Sequence, residues 1–273
     1  MPRSPTQEVG VARWEGGGGS SAADVVVVEE PLEIRVAGDT VATTMRTPGH
    51  DRELALGFLF AEGVLGSRDD VSAIAHCGRT SDEGYGNTIE VTPAPGARLD
   101  LDPAPREARR GTITAACGVC GRRTIEDLLA RAGRVPDGPT IPLAAVALAV
   151  SRLRDAQPVF ARTGGCHGAA LAGFDGVIHA VHEDVGRHNA VDKIVGAELL
   201  AGRVPLADRV LVVSGRVSFE IVQKAAMAKI PAIAAVSAAS SLAIDTALRT
   251  NVLLVGFVRG ERAVVYAGGH RAA

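Results

Sequence analysis

From residue 160 to the C-terminus, the sequence alternates between short apolar runs and segments with helical periodicity. Residues 209–213 and 232–236 are continuous apolar runs, which is the pattern of strands buried on both faces of a parallel sheet. Residues 219–229 and 242–249 follow these runs and have the spacing of helices. This alternation predicts an α/β layered domain that begins at about residue 112.

The first hundred residues have a different pattern. Residues 24–46 predict strands with a Gly-Asp turn at 38–39, and residues 53–62 predict a helix that ends at Gly63. Residues 1–23 include the run Gly16 to Gly19, which is typical of a flexible linker. Prolines and charges without periodicity follow residue 100. We therefore predict a disordered tail over 1–23, a small α+β domain over 24–104 and an α/β domain over 105–273.

Composition excludes several classes of protein. The chain has 273 residues, of which 47% are hydrophobic, so a sizeable core can form. The formal net charge of -2 gives no reason to expect nucleic-acid binding. No segment approaches the ~20 apolar residues of a membrane span, and no signal-type apolar region is present near residue 1. Four cysteines are few for a disulfide scaffold, so we expect reduced thiols, a cytoplasmic location and no membrane contact.

Two of these cysteines form a Cys-x-x-Cys pair, Cys117 and Cys120. Gly118 and Gly121 allow the intervening loop to bend so that both sulfurs face one side. A predicted helix begins just after the pair, and Arg122 and Arg123 lie between them. A helix N-terminus and nearby cations both stabilise a thiolate. We therefore predict that this pair performs sulfur chemistry.

The spacing of the pair leaves three interpretations open. A structural zinc site needs four ligands, and the sequence has no second Cys pair. A thioredoxin-like redox couple is a second interpretation, although that motif normally follows a strand, and residues 111–116 resemble a loop. A persulfide carrier is the third: one thiolate accepts a sulfur atom, and the second thiol assists its release. Periodicity does not separate the last two interpretations.

Two predicted strand-to-helix turns have the composition of phosphate-binding turns. One is Ser214-Gly215-Arg216, and the other is the serine-rich stretch 237–241. Small residues and hydroxyls at a helix N-terminus suit an anion, and the Arg216 guanidinium can hold an oxyanion through two hydrogen bonds. Ordinary helix capping is the alternative explanation of each turn. Because two such turns occur in one domain with Arg259 and Arg262, we predict a ligand that contains phosphate.

Two further stretches contain candidate binding residues. Residues 183–189 (EDVGRHN) place several polar side chains before a predicted helix. Capping accounts for some of them, but we favour a functional interpretation that includes Arg187 and His188. His167 follows a glycine-rich turn and is an additional candidate.

Together these stretches resemble the FdhD family, the formate dehydrogenase accessory sulfurtransferases. The matching blocks are RTPGHD at 46–51, ELALGFL at 53–59 with Glu62 and Gly63, CGVCG at 117–121, Thr163-Gly164-Gly165 with His167 and Ala169, EDVGRHNAVDK at 183–193, SGRVSFE at 214–220 and GFVRG at 256–260. The blocks occur in one order from about residue 24 to the C-terminus.

The resemblance implies a specific activity. Sulfur comes from a cysteine desulfurase of the IscS type as a persulfide on Cys117, with Cys120 as the second thiol. The acceptor is the molybdenum cofactor in its bis-molybdopterin guanine dinucleotide form, before that cofactor enters formate dehydrogenase, and GDP or GMP would mimic it. A thiol–disulfide redox enzyme and a non-catalytic cofactor chaperone are the alternatives. The segment that matches the family's cofactor contact is Phe257, Val258, Arg259, Gly260, Glu261 and Arg262. The predicted cofactor-binding set also contains the candidates argued above from their chemistry, which are His167, Arg187, His188, Ser214, Gly215 and Arg216.

The resemblance also implies a homodimer with a cytidine-deaminase-like core and a smaller N-terminal α+β domain. The sequence lacks the chemistry of a deaminase, because Ala116 replaces the proline before the Cys pair. In addition, Cys166-His167-Gly168 does not supply a His-x-Glu motif. We therefore expect the deaminase architecture without a bound metal and without deamination.

Overall fold

Residues 4–79, 81–82, 84–97, 99–101 and 125–273 are described by a computed structural model. The strands within them are β1 (Thr6–Glu15), β2 (Gly18–Val27), β3 (Glu30–Val36), β4 (Asp39–Arg46), β5 (Val71–His76), β6 (Thr88–Pro93), β7 (His167–Ala172), β8 (Ile178–Asp184), β9 (Val210–Val213), β10 (Ala232–Ala235), β11 (Leu253–Arg259) and β12 (Arg262–Ala267). The helices are α1 (Asp51–Ala61), α2 (Ile125–Ala132), α3 (Leu143–Leu153), α4 (Pro158–Thr163), α5 (Arg187–Leu200), α6 (Phe219–Met227) and α7 (Ser241–Thr250).

The largest sheet has six strands in the order β12-β11-β10-β9-β7-β8. Strands β9, β10 and β11 run parallel, and β7, β8 and β12 are antiparallel to their neighbours. Every residue of β9 and β10 is buried. This confirms the central strands predicted from their continuous apolar runs, and α6 and α7 supply the crossovers that parallel strands need.

Alternate residues of this sheet pack into two layers, because successive side chains of a strand point to opposite faces. Leu171 and Leu211 belong to a core shared with α1, α5, α6 and α7. Ala170 and Val212 face the other way and pack against α3. This arrangement is the mixed α/β architecture that the sequence predicts. A relationship to cytidine deaminases stays a prediction.

A second sheet, of four strands in the order β4-β3-β6-β5, lies in the N-terminal part and packs with α1. Helices α1 and α5 cross with their backbones in close approach. A Cβ on Gly57 would lie 1.9 Å from the Asp192 carbonyl oxygen, and one on Gly196 would lie 1.8 Å from the Glu53 carbonyl oxygen. Apolar residues of both sheets belong to one continuous core. The boundary predicted near residue 105 lies outside the described residues, so the units 24–104 and 105–273 stay a prediction.

The prediction of a disordered tail over residues 1–23 was wrong for the residues that the structure describes. Strands β1 and β2 form an antiparallel hairpin that pairs Thr6 with Val27 and Glu15 with Gly18. Gly16 and Gly17 form its turn with positive φ angles, at 53° and 107°. The glycine run therefore provides a tight turn between two strands. This role depends on the pairing of β1 with β2, which the glycine run alone does not indicate.

Within the described ranges, none of the helices combines the length and the apolar character that crossing a bilayer requires.

Candidate functional site

The carboxyl ends of the parallel strands form the edge at which six of the predicted site residues meet. The turn after β9 begins at Ser214, whose hydroxyl accepts a hydrogen bond from the Gly168 N–H at 2.9 Å. A Cβ on Gly215 would lie 3.3 Å from His167 Nδ1 and 4.0 Å from Arg187 Cδ. His167, Arg187 and Gly215, which are far apart in sequence, therefore line one small space. This edge is where open α/β sheets bind ligands.

Two helices direct their N-termini toward this edge without a side-chain cap. Gly186 precedes α5 and has no side chain that could accept a hydrogen bond from its first N–H groups, and Ser218 precedes α6 but makes no capping hydrogen bond. The first N–H groups of such helices favour an anion. The third turn differs, because the Ser240 hydroxyl accepts a hydrogen bond from the Ala243 N–H and caps α7. Capping thus accounts for Ser240 in the serine-rich turn, but not for the turn that contains Ser214 and Gly215.

The Ser218 hydroxyl is instead part of a small polar cluster at the start of α6. His188 Nε2 lies 2.9 Å from Ser218 Oγ and 2.8 Å from Glu220 Oε2. Ser218 Oγ also donates to Glu220 Oε2 at 2.8 Å. Burial alone would raise the pKa of Glu220, but hydrogen bonds and charge from His188, with the Ser218 bond, lower that pKa to about 2. Glu220 is therefore a carboxylate that fixes the imidazole of His188.

His167 and Arg187 determine the charge and the hydrogen-bonding groups at this edge. Burial lowers the pKa of His167, and the charges of Arg187 and His188 lower it further, so its ring stays neutral near pH 7. The Nε atom of Arg187 is buried and has no hydrogen-bond partner among the described residues. A buried guanidinium N–H without a partner is costly, so this site favours an incoming acceptor such as a phosphate oxygen.

Within residues 183–189, the structure gives Asp184 and Asn189 structural contacts, and the functional roles of Arg187 and His188 stay a prediction. Asp184 is fully buried, and its carboxylate accepts hydrogen bonds from the Thr47 N–H, the Gly186 N–H and Asn189 Nδ2. Lys193 Nζ lies 2.7 Å from Asp184 Oδ2 and donates to the Thr47 carbonyl oxygen. These contacts join the N-terminal sheet to α5. Asp184 and Asn189 therefore hold the fold together, and only Arg187 and His188 face the site edge.

The β11–β12 hairpin reaches the edge at its base. The Phe257 N–H donates to the Ser237 carbonyl oxygen at 3.1 Å, and Phe257 has a positive φ of 50°. Val258 is buried in the core on the α3 side of the sheet. The four residues of the hairpin tip are exposed: Arg259, Gly260, Glu261 and Arg262. In the strand register, Arg259 of β11 lies opposite Arg262 of β12. The described contacts thus connect the base of this hairpin to the serine-rich turn, and they do not bring Arg259 or Arg262 against His167. Arg216 is exposed at the same edge.

Cys117 and Cys120, with Arg122 and Arg123, lie outside the described residues. The chain resumes at Ile125, the first residue of α2. Ile125, Leu128 and Leu129 pack against Phe219, which begins α6 directly after Ser218. Among the residues that the structure describes, no group of three His, Cys, Asp or Glu side chains is arranged to hold a metal ion.

Sequence reasoning gave no role to two residues near His167. Cys166 Sγ donates to Glu183 Oε1 at 3.3 Å, and burial, with the Glu183 charge, raises the pKa of this thiol to about 12. Gln157 is 3% exposed and lines a cavity of about 500 Å³ that also reaches His167 and Ser214. An isolated glutamine after a helix has no sequence signal, because its significance comes from residues distant in the chain.

Comparison with known proteins identifies the group to which the chain is related. The model of the FdhD/NarQ family matches residues 27–273, which is nearly all of the sequence.

The chain belongs to the FdhD/NarQ family.

Relatives within this family are similar over most of their length. The sulfur carrier protein FdhD of Anaeromyxobacter dehalogenans is 55% identical over 252 residues, covering 90% of this chain and 88% of that protein. The sulfur carrier protein FdhD of Streptomyces avermitilis is 47% identical over 273 residues, covering 98% of this chain and 96% of that protein. The second alignment includes most of the N-terminal hairpin, which the family model largely omits.

A solved structure supports the fold. A crystal structure assigned as a formate dehydrogenase accessory protein from Desulfotalea psychrophila superposes with a TM-score of 0.76 at 25% identity. The match covers 99% of this chain and 100% of that chain. The mixed α/β arrangement described above is thus the arrangement of this FdhD/NarQ relative.

Proposed function

We propose that this chain is a sulfur carrier that supports formate dehydrogenase. Its relatives are called sulfur carrier protein FdhD, and the related solved structure is described as a formate dehydrogenase accessory protein. In the finer form of the proposal, sulfur travels as a persulfide on Cys117, with Cys120 as the second thiol. The acceptor is the bis-molybdopterin guanine dinucleotide form of the molybdenum cofactor.

One observation in the structure supports this proposal most directly. The space between His167, Arg187 and Gly215 has two helix N-termini without a side-chain cap. It also has a guanidinium N–H with no partner in the part of the chain that the structure describes, and both features suit a phosphate group. Ile125 packs beside Phe219 at the start of α6, close to this space. Cys117 and Cys120 precede Ile125 by eight and five positions, which are chain lengths of at most ~29 Å and ~18 Å. A thiol within that reach suits transfer to a ligand held at the edge.

The sulfur-loading step is an exchange between two cysteines. The Cys117 thiolate attacks the terminal sulfur of a persulfide on a cysteine desulfurase of the IscS type, and a new S–S bond forms. The S–S bond of the donor breaks, its electron pair leaves with the desulfurase cysteine, and no external oxidant is consumed. The basic surroundings predicted for Cys117 would favour its thiolate form.

The acceptor would bind through its phosphates. Arg187 and the N-termini of α5 and α6 would contact the pyrophosphate, and Arg216 lies exposed on the same turn. GDP or GMP would occupy the same contacts as the natural acceptor. Residues 257–262, at the turn between β11 and β12, would contact the same ligand. The chain would act as a homodimer that delivers the loaded cofactor to formate dehydrogenase.

Mass spectrometry after incubation with a cysteine desulfurase and cysteine tests the proposal. We expect a mass gain of one sulfur atom that persists in Cys120→Ala and disappears in Cys117→Ala. Cys166→Ala is the matched control, because its buried thiol is outside the proposed reaction, and it should take up sulfur as the unmodified protein does.

Other results would support the alternative functions. Reversible disulfide formation between Cys117 and Cys120 without sulfur uptake would indicate a thiol–disulfide redox enzyme. Absence of both reactions, with retained binding of GMP, would indicate a non-catalytic chaperone. Sulfur uptake that survives Cys117→Ala would contradict the assignment of the carrier cysteine.

A further inference from the structure

We propose that the cavity between the 47–50 turn and α4 receives Trp14 from a second copy of this chain, so that two copies exchange their N-terminal hairpins. This inference rests on the homodimer of the proposed function. It goes beyond that homodimer, because it names the surface and the residue through which the copies meet. It involves none of the residues proposed to carry sulfur or to bind the acceptor.

The hairpin of β1 and β2 projects away from the rest of the described structure. Its base is held in place, because the Val28 N–H donates to the Pro5 carbonyl oxygen at 2.9 Å and β2 contacts α4. Every residue from 12 to 21 is exposed. A two-stranded ribbon by itself is only marginally stable in water. A ribbon of this length therefore indicates a surface that packs against another molecule.

Trp14 is the residue of the hairpin with the clearest need for such a contact. It is 75% exposed, although an indole has a large apolar surface that favours burial. Its neighbours on the same face are small. A Cβ on the cross-strand residue Gly19 would lie 3.6 Å from the Trp14 ring, and the next cross-strand pair is Ala12 with Ser21. The indole is therefore accessible above a surface of small residues.

The charges of the hairpin argue against an anionic partner. Residues 6–27 contain the acidic residues Glu8, Glu15 and Asp24 and the basic residue Arg13, which gives a formal net charge of -2. Nucleic acid and the anionic surface of a membrane would both repel such a segment. The exposed indole therefore favours a protein surface.

A cavity of suitable size lies beside the base of the same hairpin. Its volume is about 550 Å³, within the ~300–1,000 Å³ typical of binding sites. The apolar residues of its wall are Pro5, Pro48, Ala156, Pro158, Val159 and Val181. Rigid, apolar rings and branched side chains of this kind provide a complementary surface for a flat aromatic ring.

The charged groups of this cavity already have partners. Lys193 Nζ lies 2.7 Å from Asp184 Oδ2 and donates to the Thr47 carbonyl oxygen. The Glu183 carboxylate accepts hydrogen bonds from two N–H groups of α4. The cavity therefore suits an uncharged side chain with a large apolar surface rather than an ion.

His182 offers a hydrogen-bond acceptor to an indole in this cavity. Its Nδ1 atom is buried and has no partner in the described ranges of the chain. Burial, with the charges of His50 and Lys193, lowers the pKa of His182 to about 4, so the ring is neutral at pH 7. One nitrogen of a neutral imidazole accepts a hydrogen bond, whereas an indole N–H only donates one. The His50 and His182 rings, with centroids 4.5 Å apart, also add flat surface to the wall.

The position of the cavity excludes Trp14 of the same copy. Pro5 lies in the cavity wall, and Trp14 follows it by nine residues of continuous strand, a distance of ~30 Å. Two copies related by a two-fold axis remove this difficulty, because each hairpin then extends from its own cavity to the cavity of the other copy. Such a contact is the same on both copies and closes on itself.

Photo-crosslinking tests the inference directly. A chain with Trp14→p-benzoylphenylalanine and one affinity tag is co-expressed with an unmodified chain that has a second tag. We expect irradiation to give a covalent product with both tags, in which position 14 is joined to residues 47–50 or 156–159. Arg13→p-benzoylphenylalanine, on the opposite face of the hairpin, is the matched control and should give little of this product. Absence of the product, or crosslinks confined to one copy, would overturn the inference.

Sedimentation equilibrium and intrinsic fluorescence give an independent measurement. We expect Trp14→Ala to raise the dissociation constant of the dimer at least about tenfold, and Arg13→Ala to leave it nearly unchanged. Because Trp14 is the only tryptophan, its emission in the unmodified protein should shift to shorter wavelength as the dimer forms. A dimer in which Trp14 keeps the emission of a solvated indole would overturn the exchange and leave a homodimer formed through another surface.

Sulfur uptake separates this inference from the proposed function. Trp14→Ala should gain one sulfur on Cys117 as the unmodified protein does, because the exposed indole plays no part in loading. Normal sulfur uptake by a protein that stays monomeric would overturn the exchange and the proposed homodimer, and it would leave the carrier role intact. An emission shift that requires vesicles of phosphatidylglycerol would overturn the exchange in favour of a lipid surface.

Discussion

Cys166 shows how its surroundings can make a cysteine unreactive. Its thiol is buried and donates to Glu183, whose carboxylate also accepts from the Val159 and Phe160 N–H groups. Burial and the Glu183 charge raise the pKa of Cys166 to about 12. The thiolate is the reactive form, and it is therefore scarce at neutral pH.

We predict that native Cys166 resists alkylation up to pH 9. With a pKa of about 12, the thiolate fraction at pH 8 is about one in ten thousand, against about one in four for an ordinary thiol. Timed iodoacetamide labelling followed by peptide mass spectrometry measures this, with the partly exposed Cys77 as the internal reference. Labelling of Cys166 as fast as Cys77 in the folded protein would contradict the prediction, and both should react in denaturant.

Gly215 is the residue whose lack of a side chain keeps the space beside His167 and Arg187 open. We predict that Gly215→Ala weakens GMP binding about five- to tenfold, because the new methyl group occupies the space beside His167 and Arg187. Calorimetry measures the affinity, and circular dichroism checks that the fold is retained.

Gly138→Ala is the matched control for this substitution. A Cβ at Gly138 meets nothing within 4 Å, and this residue has an ordinary φ. Affinity lost equally in both variants, or in neither, would remove Gly215 from the site.

At the residue scale, the structure brings several predicted site residues together, and their roles stay a prediction. His167, Arg187, Ser214 and Gly215 were chosen from separate motifs, and the topology brings them to one edge. Glu220 lay in a matched block but was given no role, because its contact with His188 joins two different helices. The polar stretch 183–189 did not reveal that Asp184 is buried and paired with Lys193, because composition does not distinguish a buried ion pair from an exposed polar turn.

At the element scale, α5 has a sequence that periodicity alone does not explain. His188, Asn189, Asp192, Lys193 and Glu198 are all buried along it. Asp192 lies 2.6 Å from Lys224 of α6, so the charges are paired across helices. Sequence predicted that a helix exists here, since apolar residues recur along it. It did not predict burial on nearly every side, because that depends on α1 packing over α5 from a distant part of the chain.

We predict that Gly196→Ala in α5 lowers the free energy of unfolding by at least ~3 kcal/mol, because its methyl group would collide with the Glu53 carbonyl of α1. Helix propensity alone would predict the opposite sign, a gain of ~1 kcal/mol for alanine over glycine. Urea denaturation followed by circular dichroism measures the change. Gly10→Ala, where a Cβ meets nothing within 4 Å, is the control and should stay within ~1 kcal/mol of the unmodified protein.

The hairpin of β1 and β2 is the element that sequence missed. Its strands alternate weakly, and most of its residues are exposed, so the period-two signal of a half-buried strand is faint. The pairing of β1 with β2 depends on residues of both strands, so the composition of either segment does not predict it. An isolated two-stranded sheet is only marginally stable, and the contact of β2 with α4 stabilises the hairpin beyond strand pairing alone.

At the scale of the whole molecule, the two larger sheets share one core. Ile34 and Ile89 of the four-stranded sheet and Leu211 and Ile233 of the six-stranded sheet belong to the same apolar cluster. The buried contacts of Asp184 and Lys193 with Thr47 add polar connections between the two parts. Strand and helix order were predictable along the chain, but this joint packing was not, because it depends on contacts between residues far apart in sequence.

We predict a single cooperative unfolding transition for residues 30–101 and 125–273. A shared core means that neither sheet can keep its apolar face buried when the other unfolds. Hydrogen exchange in increasing urea measures this, by comparing peptides from β3 and β4 with peptides from β9 and β10. Coincident midpoints are expected, and a separate, earlier midpoint for β3 and β4 would indicate two independent domains.

The position of Trp14 has a practical consequence for spectroscopy. It is the only tryptophan of the chain, and it lies 75% exposed on the N-terminal hairpin rather than on either core sheet. Intrinsic fluorescence will therefore report on that hairpin and not on the carboxyl edge of the six-stranded sheet. An indole introduced at the exposed position of Phe257, with Trp14 replaced by phenylalanine, would place the emission signal at the base of the β11–β12 hairpin, beside the proposed binding site.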